Sequence, residues 1–220
     1  MQLTHFGHAC VLAEPDPEPT AEGRPARLLL DPGTYSTDFE GLRDLDAVLI
    51  THEHPDHLDL ERLAALFKAN PSAQLIADPG SSARLREAGL EHRTVSPGDT
   101  LTVAGTTVEV LGGEHAVIHP QLPCVHNNGY LIADRLFHPG DSFTVPPRPV
   151  EILLLPTGAP WLKVSESIDY LRAVAPRTAV PIHQAGLAQV HQQLHYHLFT
   201  TLAPTNTQLT VLDQATPTAL

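Results

Sequence analysis

Only two of the 220 residues are cysteine, Cys10 and Cys124. Two thiols without a CxxC spacing make neither a disulfide framework nor a thiolate metal site, so a reducing cytoplasm is the expected compartment and both are expected to be buried thiols. Basic residues are scarce as well: 13 Lys plus Arg face 25 Asp plus Glu, a net charge of −12. With no local basic cluster, that balance argues against binding to a nucleic-acid backbone. No apolar run approaches the roughly 18 residues of a membrane span, so no membrane partner is expected. The opening MQLTHFGHAC has neither the basic start nor the apolar stretch of a secretory signal. Charged residues make up only 17%, so the acidity is not that of a disordered acidic tail.

Histidine, by contrast, is abundant: 14 residues, more than Lys and Arg together. Twenty-one Pro and 14 Gly divide the chain into short elements. The length suits one domain, read as residues 1–220. A first strand is expected over Gln2–Ala13, followed by an exposed Pro- and acid-rich turn, Glu14–Arg27, and a strand at Leu28–Asp31 stopped by Pro-Gly. The apolar run Asp46–Ile50 reads as a strand buried on both faces. A helix follows over Leu58–Asn70, then a strand at Gln74–Asp78 and a short helix ending at Gly89. Further strands are expected around TVEVLGG, GYLIAD, RLFHPGD and VEILLLP. Ser165 would cap a helix running to Ala175, TAVPIH is another strand, Gly186–Thr200 a helix and QLTVLD a last strand. Strands then helices, twice over, suggest helices outside two packed sheets, a pattern that favours α/β or α+β and does not by itself fix the topology.

The chemistry is concentrated in Thr51-His-Glu-His-Pro-Asp-His57, between a buried strand and a helix. His52, His54 and Asp56 are spaced by two, which puts them on one side of an extended backbone and turns Glu53 away. His57 starts the following helix and can turn toward the same cavity. Three imidazoles and a carboxylate placed in an interior need partners or a metal. Imidazole and carboxylate suit zinc, and also iron or manganese. Four ligands so close exceed one tetrahedron, so two neighbouring divalent cations explain them better.

HxHxDH followed by Leu-Asp resembles the signature of the metallo-β-lactamase superfamily of metallohydrolases, and the resemblance runs along nearly the whole chain. LTHFGHACVL with LLLDPG is similar to that fold's opening hairpin, while GGEHAVIHP, FHPGDS and VPIH follow in the family's order. The ascorbate-6-phosphate lactonase-like branch looks most similar, and the resemblance implies an α+β fold, two packed mixed β-sheets with helices on both outer faces in an αββα sandwich. The resemblance implies one metal held by His52, His54 and His115, a second held by Asp56, His57 and His183, and Asp141 bridging them. His115 directly follows a strand and a Gly-Gly turn. His119, four residues on, is the alternative ligand and a candidate catalytic residue.

The implied activity is attack by hydroxide, formed between two cations, on an ester, lactone, amide or phosphoester of a small substrate. Asp56 could also shuttle a proton to the leaving group. Around the ligands, Asp59 and Thr51 are candidates to orient imidazoles. His8, His126 and Asn127 are candidate substrate or supporting contacts, and His138 a candidate support. Trp161 reads as a packing residue. His191 and His195, with His197 nearby, read as the polar face of a helix whose buried stripe is Leu187, Val190, Leu194 and Leu198. His5 and His92 carry no signal. The rival readings are an iron-containing redox module of the same fold, a metal-dependent nuclease and a non-enzymatic metal store. The resemblance also allows a homo-oligomer.

Overall fold

The computed structural model describes residues 1–16 and 24–220. The centre of the expected Pro-rich turn, residues 17–23, lies outside them. The chain runs β1 (Gln2–His5), β2 (Val11–Glu14), β3 (Leu28–Leu30), β4 (Ala47–Ile50), α1 (Leu60–Ala69), β5 (Gln74–Ala77), α2 (Pro79–Glu87), β6 (Arg93–Thr94) and β7 (Thr100–Val103). It continues through β8 (Thr106–Glu114), β9 (His126–Ile132), β10 (Leu136–His138), β11 (Ile152–Pro156), α3 (Val164–Val174), β12 (Thr178–Ile182), α4 (Gln189–Leu202), β13 (Gln208–Leu209) and β14 (Thr218–Ala219).

Among the described residues these strands form two seven-stranded sheets, ordered β14-β1-β2-β3-β4-β5-β6 and β13-β12-β11-β10-β9-β8-β7. Each is antiparallel at one end and parallel at the other: β1, β2 and β3 pair antiparallel, whereas β3 to β6 run parallel. Likewise β7 to β10 are antiparallel and β10 to β13 parallel.

Strand alternation builds the layers. Leu28 and Leu30 join Leu49, Ile76, Val108, Tyr130, Leu154 and Val180 in a core between the two sheets. Their neighbours Leu29, Val48 and Ile50 face the other way, onto Leu63 and Leu66 of α1 and Leu85 of α2. On the second sheet Leu131, Leu153 and Leu155 pack on Ile168, Leu171 and Val174 of α3 and Phe199 of α4. Every apolar face is covered, which gives the αββα sandwich.

Several local expectations need correction. The chain from Gln2 does not continue as one strand to Ala13. It turns back at Gly7 (φ +88°) and His8 (φ +52°), in a tight hairpin where Phe6 N–H donates to Cys10 O (2.8 Å) and Cys10 N–H to Gly7 O (3.0 Å). Helix α3 begins at Lys163, whose N–H donates to Glu166, rather than on a Ser165 cap. Of the stripe proposed for α4, Val190 and Leu194 are exposed while Leu198 does pack inward, beside Tyr196 and Phe199. Only Gln208–Leu209 of the last expected strand is paired, and Thr218–Ala219 adds to the edge of the first sheet beside β1. Cys10 is buried but Cys124 is exposed.

The strand ends that matter lie together. His8 follows β1, Asp31 β3, His52 β4, His115 β8, Asp141 β10, Gly158 β11 and His183 β12. At this edge the two sheets bond directly: Asn128 N–H donates to Thr51 O (2.8 Å), Tyr130 Oη to Ile50 O (2.7 Å) and His183 N–H to His8 O (2.9 Å). Side chains from sequence-distant loops are thereby held in fixed relation at one edge, where those after β3, β4, β10, β11 and β12 sit at the carboxyl ends of strands with a parallel neighbour, a common position for ligands in open sheets.

Candidate metal centre

The tight turn carrying His54, Asp56 and His57 is clamped by its neighbour Asp31-Pro32-Gly33. Thr34 N–H donates to Pro55 O (2.9 Å), and a Cβ on Gly33 would stand 1.8 Å from Asp56 O, so only glycine fits. Helix α1 then starts on Asp59, whose carboxylate accepts from Glu61 N and Arg62 N (3.1 Å each) and from Arg62 Nε (2.7 Å). Asp59 was expected to orient an imidazole. It instead caps a helix, because its side chain turns toward the four free N–H groups of the first turn.

Donor atoms meet in three overlapping groups: His52, His54 and His115; His8, Asp56, His57 and His183; and His52, His57 and Asp141. His52 Nε2 and His54 Nδ1 lie 3.1 Å apart. Asp141 reaches both sides: Oδ1 is 3.2 Å from His57 Nε2, and Oδ2 is 3.4 Å from His115 Nε2 and 3.1 Å from His183 Nε2. His8 Nε2 bonds Asp56 Oδ2 at 3.1 Å, bringing His8 into the second group.

The tautomers follow from the partners. His57 Nδ1 bonds Asp31 Oδ2 (2.8 Å), His183 Nδ1 bonds Gly158 O (2.7 Å) and His115 Nδ1 bonds Ala116 O (2.5 Å). Carboxylates and carbonyls only accept, so each Nδ1 carries a proton and, in the neutral ring, the Nε2 lone pair points inward. These three Nε2 atoms, together with Asp141 Oδ1, are buried and lack a hydrogen-bond partner. Buried polar atoms rarely go unsatisfied, and here they converge on one point. Imidazole nitrogens and carboxylate oxygens with free lone pairs fit one or two divalent cations.

Without a cation, the nearby carboxylates favour a second proton on His57 and on His183, which a bound cation would displace. Burial alone would discourage charge on His57, but the carboxylates of Asp141 and Asp31 outweigh it and raise its pKa well above the usual imidazole range. Burial also opposes ionisation of Asp141, yet the charges of His183 and His57 hold its pKa far below the ordinary carboxylate value. Burial pushes His52 well down and His8 down to about 4, so both stay neutral.

Asp31 is the principal residue that sequence reasoning missed. It is fully buried with φ +44°, and it accepts from Thr51 N, Thr51 Oγ1, His57 Nδ1 and His138 Nε2, each at 2.8 Å. Its signal was a lone acid ending an all-apolar strand, where nothing but a specific partner offsets its burial. Thr51 Oγ1 also lies 3.0 Å from His52 Nδ1, and His138 is buried against Asp31. Trp161 does more than pack, since its Nε1–H donates to Asp141 Oδ2 at 2.8 Å. His5, assigned nothing, donates to His8 O at 3.0 Å and steadies the hairpin.

Other candidates fall outside the donor groups. His119 is exposed and its Nδ1 accepts from Gln121 N–H, because the loop carries it away from the strand end that aims His115 inward. His126 is exposed at the start of β9. Asn127 is buried and braces the Asp141 loop, donating to Pro139 O (2.8 Å) and accepting from Asp141 N (2.9 Å). On α4, His195 is half-buried and donates to Thr157 O (2.7 Å), while His191 and His197 are exposed.

Residues 2–183 match the sequence profile of the β-lactamase superfamily domain. The chain belongs to that superfamily. Protein Rv0786c of Mycobacterium tuberculosis is 50% identical to it over 95% of this chain and 96% of its own length. The UPF0173 metal-dependent hydrolase Ta0764 of Thermoplasma acidophilum is 27% identical over 63% of this chain and 65% of its own. Among solved structures, the metallohydrolase Igni18 of Ignicoccus hospitalis superposes with a TM-score of 0.73 at 19% identity, covering 99% of this chain and 97% of that one. The metallo-β-lactamase fold protein YhfI of Bacillus subtilis gives 0.67 at 13% identity, with 98% of each chain covered. The αββα sandwich is thus the metallo-β-lactamase fold, and the superfamily signature HxHxDH is the segment whose side chains meet in the donor groups.

Proposed function

We propose that this β-lactamase superfamily member is a metal-dependent hydrolase that carries two divalent cations, zinc first among them, and works in the cytoplasm on a small soluble substrate. The observation that carries this reading is the convergence of unsatisfied buried Nε2 atoms of His57, His115 and His183 with Asp141 Oδ1. His52, His54 and His115 would hold one cation, Asp56, His57 and His183 the other, with Asp141 between. The name of the Thermoplasma relative and the fold of Igni18 support the hydrolase class.

Bound there, such cations lower the pKa of water and stabilise negative charge on an attacked carbonyl or phosphoryl centre. The chain's own residues do the rest. Gly158 O, Ala116 O and Asp31 fix three ring orientations. Burial opposes the charge on Asp56, but the hydrogen bond from His8 and the nearby His57 and His183 keep it ionised. Half-buried at the mouth of the site, Asp56 can accept a proton from the attacking water and return it to the leaving group.

Elemental analysis of purified protein tests the reading, with two metals per chain expected and hydrolysis lost on chelation. Fewer than two metals would overturn the two-cation assignment. An iron absorption band with oxygen uptake and no hydrolysis would replace the hydrolase by a redox module.

A further inference from the structure

Two cavities open beside the centre, one against each donor set. The first, about 460 Å³, has His8, Asp56 and His183 on its inner wall and Tyr35, Pro160 and Leu187 further out. The second, about 360 Å³, is bounded by His54 and His115 and then by Val117, Ile118, Leu122 and Cys124. Both fall within the range of small-ligand sites, roughly 300–1,000 Å³. They share no lining residue, and neither wall contains Lys or Arg. Among the described residues eight large apolar side chains are markedly exposed, and four of them, Tyr35, Val117, Ile118 and Leu122, line these two cavities. Exposed apolar surface gathered at a site marks what that site takes up. An anionic tail reaching away from the donor sets would find no Lys or Arg in either cavity.

Resting on the hydrolase reading, we propose that the substrate is an uncharged acyl compound, an ester or amide, with an apolar group on each side of the scissile bond, one seated in each cavity. Water adds its oxygen to the carbonyl carbon, the acyl C–O or C–N bond breaks, and the water's proton leaves on the alcohol or amine. No other reactant is needed. This places the carbonyl between the two donor sets and excludes phosphate-tailed or nucleotide substrates.

Binding tests the proposal apart from turnover. The single tryptophan, Trp161, has its ring 6.0 Å from that of His115 and 6.4 Å from that of His183, so its fluorescence reports occupancy. Uncleavable dialkyl ketones titrated into the metal-loaded protein should tighten about fourfold per added methylene until the cavities fill. Ketones ending in a carboxylate or phosphate should bind about tenfold more weakly or worse. Ketones should also slow N-ethylmaleimide labelling of Cys124, with buried Cys10 unlabelled. Leu187→Asp and the more exposed Leu122→Asp should each abolish the chain-length gain for one of the two tails.

Affinity independent of chain length, or tighter binding of anionic tails, would overturn the proposal. So would preference for bis(p-nitrophenyl) phosphate over p-nitrophenyl esters, although the hydrolase reading would stand. If neither is hydrolysed in a metal-dependent way, the hydrolase reading falls, and the ketone titration still decides what the cavities bind.

Discussion

Replacing Asp31 by Asn should disable the centre without touching a ligand. Asp31 lies at zero exposure and accepts four hydrogen bonds at 2.8 Å. Asn keeps the shape and one acceptor oxygen. If that oxygen faces Thr51 N–H, the amide NH2 confronts the N–H groups of His57 and His138. His57 can relieve the clash by moving its proton to Nε2, but that removes the inward lone pair. Two charge-assisted bonds are lost at about 1.5–3 kcal/mol each, or about 3–6 kcal/mol in the metal-free protein. At about 2–4 °C per kcal/mol for a chain of this size, Tm should fall by roughly 10 °C. Loss of an orienting partner also weakens metal binding about 10–100-fold, or about 1.4–2.7 kcal/mol. Competition against a chromophoric chelator measures the affinity, and thermal melts of the metal-free form measure the stability. Metal affinity within twofold of wild type would refute the tautomer argument, whatever the melt shows.

Three further outcomes are expected. His115→Ala should lose about one equivalent of metal by elemental analysis while His119→Ala keeps both, and equal losses would contradict the placement of His119. Gly140→Ala should destabilise by at least about 1–3 kcal/mol, read from denaturant midpoints: Gly140 has φ +62°, and a Cβ would stand 2.2 Å from the Asn127 Oδ1 that holds Asp141 N–H. His5 is buried, and burial lowers its pKa below 6.5. The unfolded chain therefore binds more protons as pH falls below about 6.5, and the stability held above that pH is lost progressively toward the folded pKa. Compared in the same metal state, His5→Gln should show a shallower loss of stability between pH 7 and 5, and an unchanged slope would remove His5 as a contributor.

The sequence alone determined where most strands and helices run and the local donors His52, His54, Asp56 and His57, and its resemblance to a known superfamily supplied the layers and the distant donors. The continuous apolar run up to Ile50 marked a strand buried on both faces, and the segment after it gathered four potential donors within six residues, although a tight turn rather than the expected extended backbone sends His52 and His54 to one donor group and Asp56 to another. Local pattern stops where side chains are set by partners far away in the chain. Asp31 and Trp161 gain their roles from contacts with His57, His138 and Asp141, which lie 20 to 107 residues away. The choice of His115 over His119 rests on where β8 ends, and Asp59 caps a helix rather than serving an imidazole because α1 begins one residue later. The left-handed backbone at His8, Asp31 and His183 is invisible in residue identity, since non-glycine residues adopt it only when the surrounding packing enforces it. Composition and spacing set which atoms could bind a cation. Only the bonded edge between the two sheets, joining β1 to β12 and β4 to β9, decided which of them meet and which way their lone pairs point.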